Sequence, residues 1–317
     1  MGLVVRPGEE IIDVRSGERE DPAKVPVRSR RRVGYWVVGL LVCLCTGLVI
    51  SSLVADKAMQ WSVVGSYLFS GQILHGVEIT CELTLYSMVL AELIAIPIAL
   101  FRLSGNAFLR VVGYVYVWIF RSIPLLVLLI VWFNFSLFYP RVGLGIPFGP
   151  VFISVSTRQV ITAMVAAVAA LGLNEAAYSS EILRSSIKAI STGQRDAATA
   201  LGMSSFVMFR RIIFPQAVKI AVPPLGNQTI GMVKSTALVA FIAVPDLLYA
   251  AQTIYAVNYE IVPLLIVATI WYLVIVTVLT GLQSLIERRM DKAVRFSTRR
   301  GASRWAGLAR QIRAEVR

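Results

Sequence analysis

Residues 261–286 read IVPLLIVATIWYLVIVTVLTGLQSLI, a run of sequence without a single Asp, Glu, Lys or Arg. About 20 predominantly apolar residues are enough to carry a helix across the hydrocarbon core of a bilayer. In lipid, where no water can hydrogen-bond the backbone, a helix satisfies its own N–H and C=O groups. This segment therefore predicts an all-α membrane protein, and five more candidate spans lie upstream of it. Residues 35–55 are equally free of charge, and 83–101 contain only Glu92. Residues 111–138 are interrupted by Arg121, with Pro124 just after it. Residues 159–180 are Ala-rich with Glu175 late in the run, and 220–245 hold Lys234 and the pair Pro223-Pro224.

Composition agrees with that reading. Of 317 residues, 57% are hydrophobic and only 15% charged, with a mean hydropathy of +0.72. Soluble domains are about 45–50% apolar and about a quarter charged, so a water-soluble enzyme is disfavoured. The formal net charge is +13, from 31 Lys and Arg against 18 Asp and Glu. A nucleic-acid-binding protein would spread such basicity over a polar surface. Here the bases gather between apolar runs, which speaks against nucleic acid as a partner. Cys43, Cys45 and Cys81 lack metal-ligand or redox spacing, and the single histidine, His75, has no companions for a metal site.

The basic residues orient the spans, because cytoplasmic loops are enriched in Lys and Arg. Eight lie in the tail 1–34, two at Arg102 and Arg110, six between Arg184 and Lys219, and ten after Ile286. If six spans are real, these 26 share one side and face only Lys57, Arg141 and Arg158 on the other. Both termini are thus expected in the cytoplasm. Residues 1–34 are polar, with Pro7, Pro22 and Pro26, and read as a disordered basic tail. Residues 35–55 read as an extra N-terminal anchor; a signal peptide is the alternative, but the run is longer than an h-region and follows 34 residues. Residues 291–317 form a second basic tail, either a helix lying on anionic headgroups or a solvated charge run that fixes topology.

The one sizeable cytoplasmic loop inside the membrane domain spans 181–215. Ser191-Thr192-Gly193-Gln194 has the form of a capping box, so a helix is predicted to start there with Asp196 in its first turn. Gly202 supplies the residue that tolerates the left-handed conformation ending a helix. A helix of about two turns is not stable alone in water. It is held either by a partner protein, to which its small Ala side chains allow close approach, or by packing on the chain's own membrane helices.

Asp196-Ala197-Ala198, then three residues, Gly202, nine residues, Ile212, one residue and Phe214-Pro215 resembles the E-A-A-x3-G-x9-I-x-L-P loop of ABC importer permeases. Asp196 stands where Glu is usual and Phe214 where Leu is usual. Glu181-Ile182-Leu183-Arg184, Phe120-Arg121-Ser122-Ile123-Pro124, Lys234-Ser235-Thr236 and Val244-Pro245-Asp246 are similar to the histidine/glutamine/glutamate permease subfamily, over about residues 65–290. The resemblance implies a type I importer permease fold, here five core transmembrane helices plus the extra one. It also implies that Asp196, Ala197, Ala198, Gly202, Ile212 and Pro215 couple the loop to a separate ATPase that binds ATP and Mg. Further implied partners are an extracytoplasmic amino-acid-binding protein and a second permease, either a second copy or a relative.

The chain has no ATP site of its own: Gly226-x4-Gly231 is followed by Met232-Val233-Lys234-Ser235, without the Gly-Lys adjacency of a P-loop. No catalytic or metal arrangement stands out, and none is expected. Ionisable groups at bilayer depth cost roughly 2.5–3.5 kcal/mol each on insertion scales and usually face the bundle interior. Arg121, Lys234, Glu92, Glu175 and Asn227 are therefore candidates for a substrate pathway, and Asn174 could add hydrogen-bonding groups. Internal pairing, for instance Arg121 with Glu92, is the alternative. Pro124, Pro223 and Pro224 are expected to break or kink their helices. An ion-coupled secondary transporter and a non-transporting scaffold are the rival functions, and neither explains the register from Asp196 to Pro215.

Overall fold

The computed structural model describes residues 33–145 and 151–315, with side chains described no further than Met290. The tail predicted to be disordered therefore lies, over residues 1–32, outside the described residues. The chain divides into two compact units, residues 1–56 and 57–317. The first contains one helix, α1 (Val33–Ala55), whose side chains from Tyr35 to Leu48 are all exposed. Its 23 residues span about 35 Å, enough for a bilayer.

The second unit begins with a short 3-10 turn and α2 (Trp61–Tyr67), then α3 (Gly71–Leu103). This helix starts a dozen residues before the predicted span. Hydropathy marks where lipid begins, whereas the backbone is already helical through His75, Glu78 and Glu82. Next come α4 (Ala107–Ser122) and α5 (Leu125–Phe133), which meet at a bend of 98°. The run predicted as one span, 111–138, is thus broken. The residue before a proline is driven out of the α region. Ile123 accordingly adopts ψ 128°, and Pro124 caps the next helix.

A four-residue helix, α6 (Phe135–Phe138), leads into an antiparallel hairpin of β1 (Arg141–Gly145) and β2 (Val151–Ser156), with an irregularity at Leu144/Gly145. The all-α expectation is corrected here. Val151-Phe152-Ile153-Ser154-Val155-Ser156 is rich in β-branched residues, but too short to register in a search for long apolar runs. The backbone N–H of Thr157 donates to the Pro140 carbonyl (3.0 Å), and its hydroxyl to that of Tyr139, closing the base of the hairpin.

After α7 (Thr157–Val160) comes α8 (Ala163–Lys188), the centre of the unit. It packs along α3, with Ala91 and Ala95 of α3 buried against Ala176. A Cβ on Gly172 would sit 2.9 Å from Leu90 Cδ2, so glycine is what permits this approach. Small residues at helix contacts serve the same end throughout membrane bundles.

The loop then supplies α9 (Thr192–Ala200) and α10 (Ser205–Met208). A π-helical segment (Phe209–Ile213) runs straight into α11 (Phe214–Ser235). Pro223 and Pro224 remove two backbone donors, yet α11 continues through them, so no break forms at that pair. The break comes later, after a 3-10 segment (Thr236–Ile242) that ends at Ala243 with φ 55°. From there α12 (Leu247–Asn258) departs at 46°.

The last helix, α13 (Ile261–Glu315), carries the opening apolar run and continues as helical backbone into the stretch read as a basic tail. Within residues 57–290, two described helices are long and apolar enough to cross a membrane, Gly71–Leu103 and Ile261–Met290, or up to four if each bent pair is one span. α8 has the length, 26 residues, but Asn174, Glu175, Glu181 and Arg184 make it less apolar.

Candidate functional site

Two regions carry the polar chemistry. The first is α9 and its surroundings. The backbone at Gly202 has φ 69°; its N–H donates to Thr199 O (2.9 Å), and that of Met203 to Ala198 O (3.1 Å). These two bonds form a Schellman motif, so the glycine predicted to end the helix does so. The capping box does not form. The Ser191 hydroxyl makes no cap bond, and Gln194 Oε1 accepts instead from Gln216 Nε2 at 2.7 Å. Asp196 also lies beyond the first turn, because the helix already begins at Thr192.

What holds this short helix is the chain itself. Ala198 is 1% exposed, and Arg195 Nη2 donates to Ile187 O of α8 at 2.8 Å. Flanking it in sequence, Ile190, Ile213 and Ala217 form a small core with Ile187, Met208 and Phe209. The outward surface remains unfilled: Asp196 and Ala197 are exposed, Leu201 is 81% exposed and Phe206 70%. Ile212 is half-buried in the π-helical segment, and Pro215 is exposed in the first turn of α11.

The second region is a chain of polar groups linking α3, α8 and α11. Ser179 Oγ lies 2.8 Å from Glu92 Oε1 and 3.4 Å from Glu175 Oε1. From α11, Gln228 Nε2 donates to the same Glu175 oxygen at 2.8 Å. Glu175 is only 9% exposed. Unpaired buried polar groups are expensive in a low-dielectric interior, and these four satisfy one another. Glu92 also lines a cavity of about 670 Å³ whose walls are mostly apolar side chains of α3, α11 and α13, with Gln283 among them.

The remaining candidates stand apart from this chain. Arg121 does not pair with Glu92. It is exposed, with its Cζ 5.0 Å from the centre of the Tyr178 ring. Lys234, exposed in the last turn of α11, lines a separate cavity of about 350 Å³ with Tyr272 and Thr269. Asn227 is exposed and accepts from Gln283 Nε2 at 3.3 Å. Asn174 is committed to structure, donating to Phe120 O at 2.7 Å. Ion pairs join Glu181 to Arg102 and Arg184, and Glu78 Oε2 lies 3.2 Å from His75 Nδ1. Ser179 and Gln228 were missed because a search for charge passes over neutral polar residues. Ser179 lies one turn from Glu175 on the same helix face, a spacing that could have found it.

Residues 91–292 match the family described as binding-protein-dependent transport system inner membrane component, and the chain belongs to that family. It is 37% identical over 273 residues to the arginine transport system permease protein ArgU of Corynebacterium glutamicum, covering 86% of this chain and 84% of that one. It is 36% identical over 233 residues to the histidine/lysine/arginine/ornithine permease HisM of Salmonella typhimurium, covering 74% and 93%. Among solved structures, an amino acid ABC transporter crystallised with histidines superposes with a TM-score of 0.58 at 34% identity, covering 69% of this chain and 94% of that one. The MetNI methionine ABC transporter, at 19% identity and a TM-score of 0.55 over 74% and 99%, shares the fold. The architecture is mostly helical and like that of a type I ABC importer permease.

Proposed function

We propose that the chain is the permease of a bacterial ABC importer for polar amino acids, specifically those with a cationic side chain. The observation that carries this reading is the Glu92–Ser179–Glu175 chain, two carboxylates joined through one hydroxyl inside a helical membrane unit. A guanidinium or ammonium is the natural partner of such a pair. The relatives named for arginine and for histidine, lysine, arginine and ornithine support the choice. Lys234, although it lines a separate cavity, offers the opposite sign that an α-carboxylate needs elsewhere along the pathway, to which Arg121 and Asn227 also belong.

The protein works in the cytoplasmic membrane with both termini inside. It pairs with a second permease and receives substrate from an extracytoplasmic binding protein. Asp196, Ala197, Ala198 and Gly202, with the exposed Leu201 and Phe206, dock into a groove of a cytoplasmic ATPase that binds ATP and Mg; Ile212 and Pro215 seat the loop on α11. Uptake of labelled arginine into proteoliposomes holding the full complex tests the proposal. It should require both ATP and the binding protein, and uptake driven by an ion gradient without either would overturn it.

A further inference from the structure

α9 touches two membrane helices at once. Arg195 Nη2 bonds Ile187 O of α8 at 2.8 Å, and Gln194 Oε1 accepts from Gln216 Nε2 of α11 at 2.7 Å. The same two helices meet again deeper in the unit, where Gln228 of α11 donates to Glu175 of α8 at 2.8 Å. Along α8, Ile187 and Glu175 are separated by about 18 Å of helix rise; along α11, Gln216 and Gln228 are separated by the same distance. Two rods of equal length are thus pinned to each other at both ends, with α9 as the cross-piece at one end and the carboxylate chain at the other.

We infer that Gln216 is a positioning residue for transport, transmitting the position of α9 through α11 to the Glu175–Gln228 contact. Its amide reaches two acceptors, Gln194 Oε1 and, at 2.9 Å, the carbonyl of Ile212 in the π-helical segment. It therefore ties α9 to the base of α11. Arg195 anchors the other end of the cross-piece on α8. A load on α9 shears α8 against α11, and the bond at the far end of both rods is what changes. The sequence shows no sign of this, because Gln194 and Gln216 are 22 residues apart and neither carries charge.

The inference rests on α9 being the element that docks the ATPase, so the test separates the two. In the complete complex in proteoliposomes, Gln216→Leu should leave ATPase binding and maximal ATP hydrolysis within about twofold of wild type. Arginine taken up per ATP hydrolysed should fall at least fivefold. The pair Gln194→Lys with Gln216→Glu replaces the amide contact by an ion pair and should restore the ratio. An unchanged ratio in Gln216→Leu, a loss that the pair does not recover, or loss of ATPase binding would each overturn the inference. The docking role itself is read from Leu201→Asp: retained ATPase binding in that variant defeats the docking role, whatever Gln216 does.

Discussion

At the scale of single residues, Gly202 is held by backbone conformation rather than by space. Its φ of 69° suits glycine, and a Cβ there would meet nothing within 4 Å. Left-handed backbone costs an ordinary L residue about 1–2 kcal/mol, while Asn visits it more readily. We therefore expect Gly202→Val to insert normally but to lose ATPase co-purification and most arginine uptake, with Gly202→Asn losing much less. The carboxylate chain makes a second expectation at this scale. Glu175→Gln removes the ionisable carboxyl while keeping an oxygen that Gln228 can bond. Its apparent affinity for arginine should fall at least tenfold, measured as the concentration dependence of ATP-driven uptake. Ser179→Ala, which removes the hydroxyl between the two acids but leaves both of them and Gln228 in place, should cost only a few-fold.

At the scale of elements, two devices set the bundle. Pro124 turns α4 into α5 through 98° by forcing Ile123 out of the helix. In Pro124→Ala that constraint is gone. Spin labels at positions 112 and 133 should then move apart by about 11 Å if the two helices straighten, from the rise per residue. The α3–α8 seam depends instead on small side chains. Gly172→Val would drive a side chain into Leu90 and should destabilise the unit by about 1–3 kcal/mol, read as a lower unfolding midpoint in detergent. Proline pairs give no such uniform rule, since α11 runs through Pro223 and Pro224 while α4 stops before Pro124. Pro124 follows the end of a helix in a position where a new one can start, whereas the two prolines of α11 lie mid-helix with α8 and α13 packed beside them.

For the whole molecule, the extra helix and the bundle belong to different compact units, residues 1–56 and 57–317. A chain beginning at residue 57 still has eighteen Lys and Arg on the side assigned to the cytoplasm against three on the other. It should insert in the same orientation and sustain ATP-driven uptake, which protease accessibility and the uptake assay would check. Much of this architecture was legible in advance. The charge-free run at 261–286 announced a membrane helix, because burial in lipid imposes apolar composition over a whole span. The register from Asp196 to Gly202 announced a short helix and its stop, because capping is a local property of backbone and of glycine. The break at Pro124 was expected from the proline itself, but the hairpin, the partners of Gln216 and the joining of Glu92 to Glu175 through Ser179 were not legible. Each depends on which residues distant in sequence come within 3 Å, and that is fixed by how helices pack. Composition and local backbone preference were enough to say that this is a helical membrane protein with a short helix in its largest loop. Only the packing of α3, α8 and α11 decided which of its intramembrane charges meet, because a hydrogen bond requires contact and sequence spacing specifies contact only within one helix.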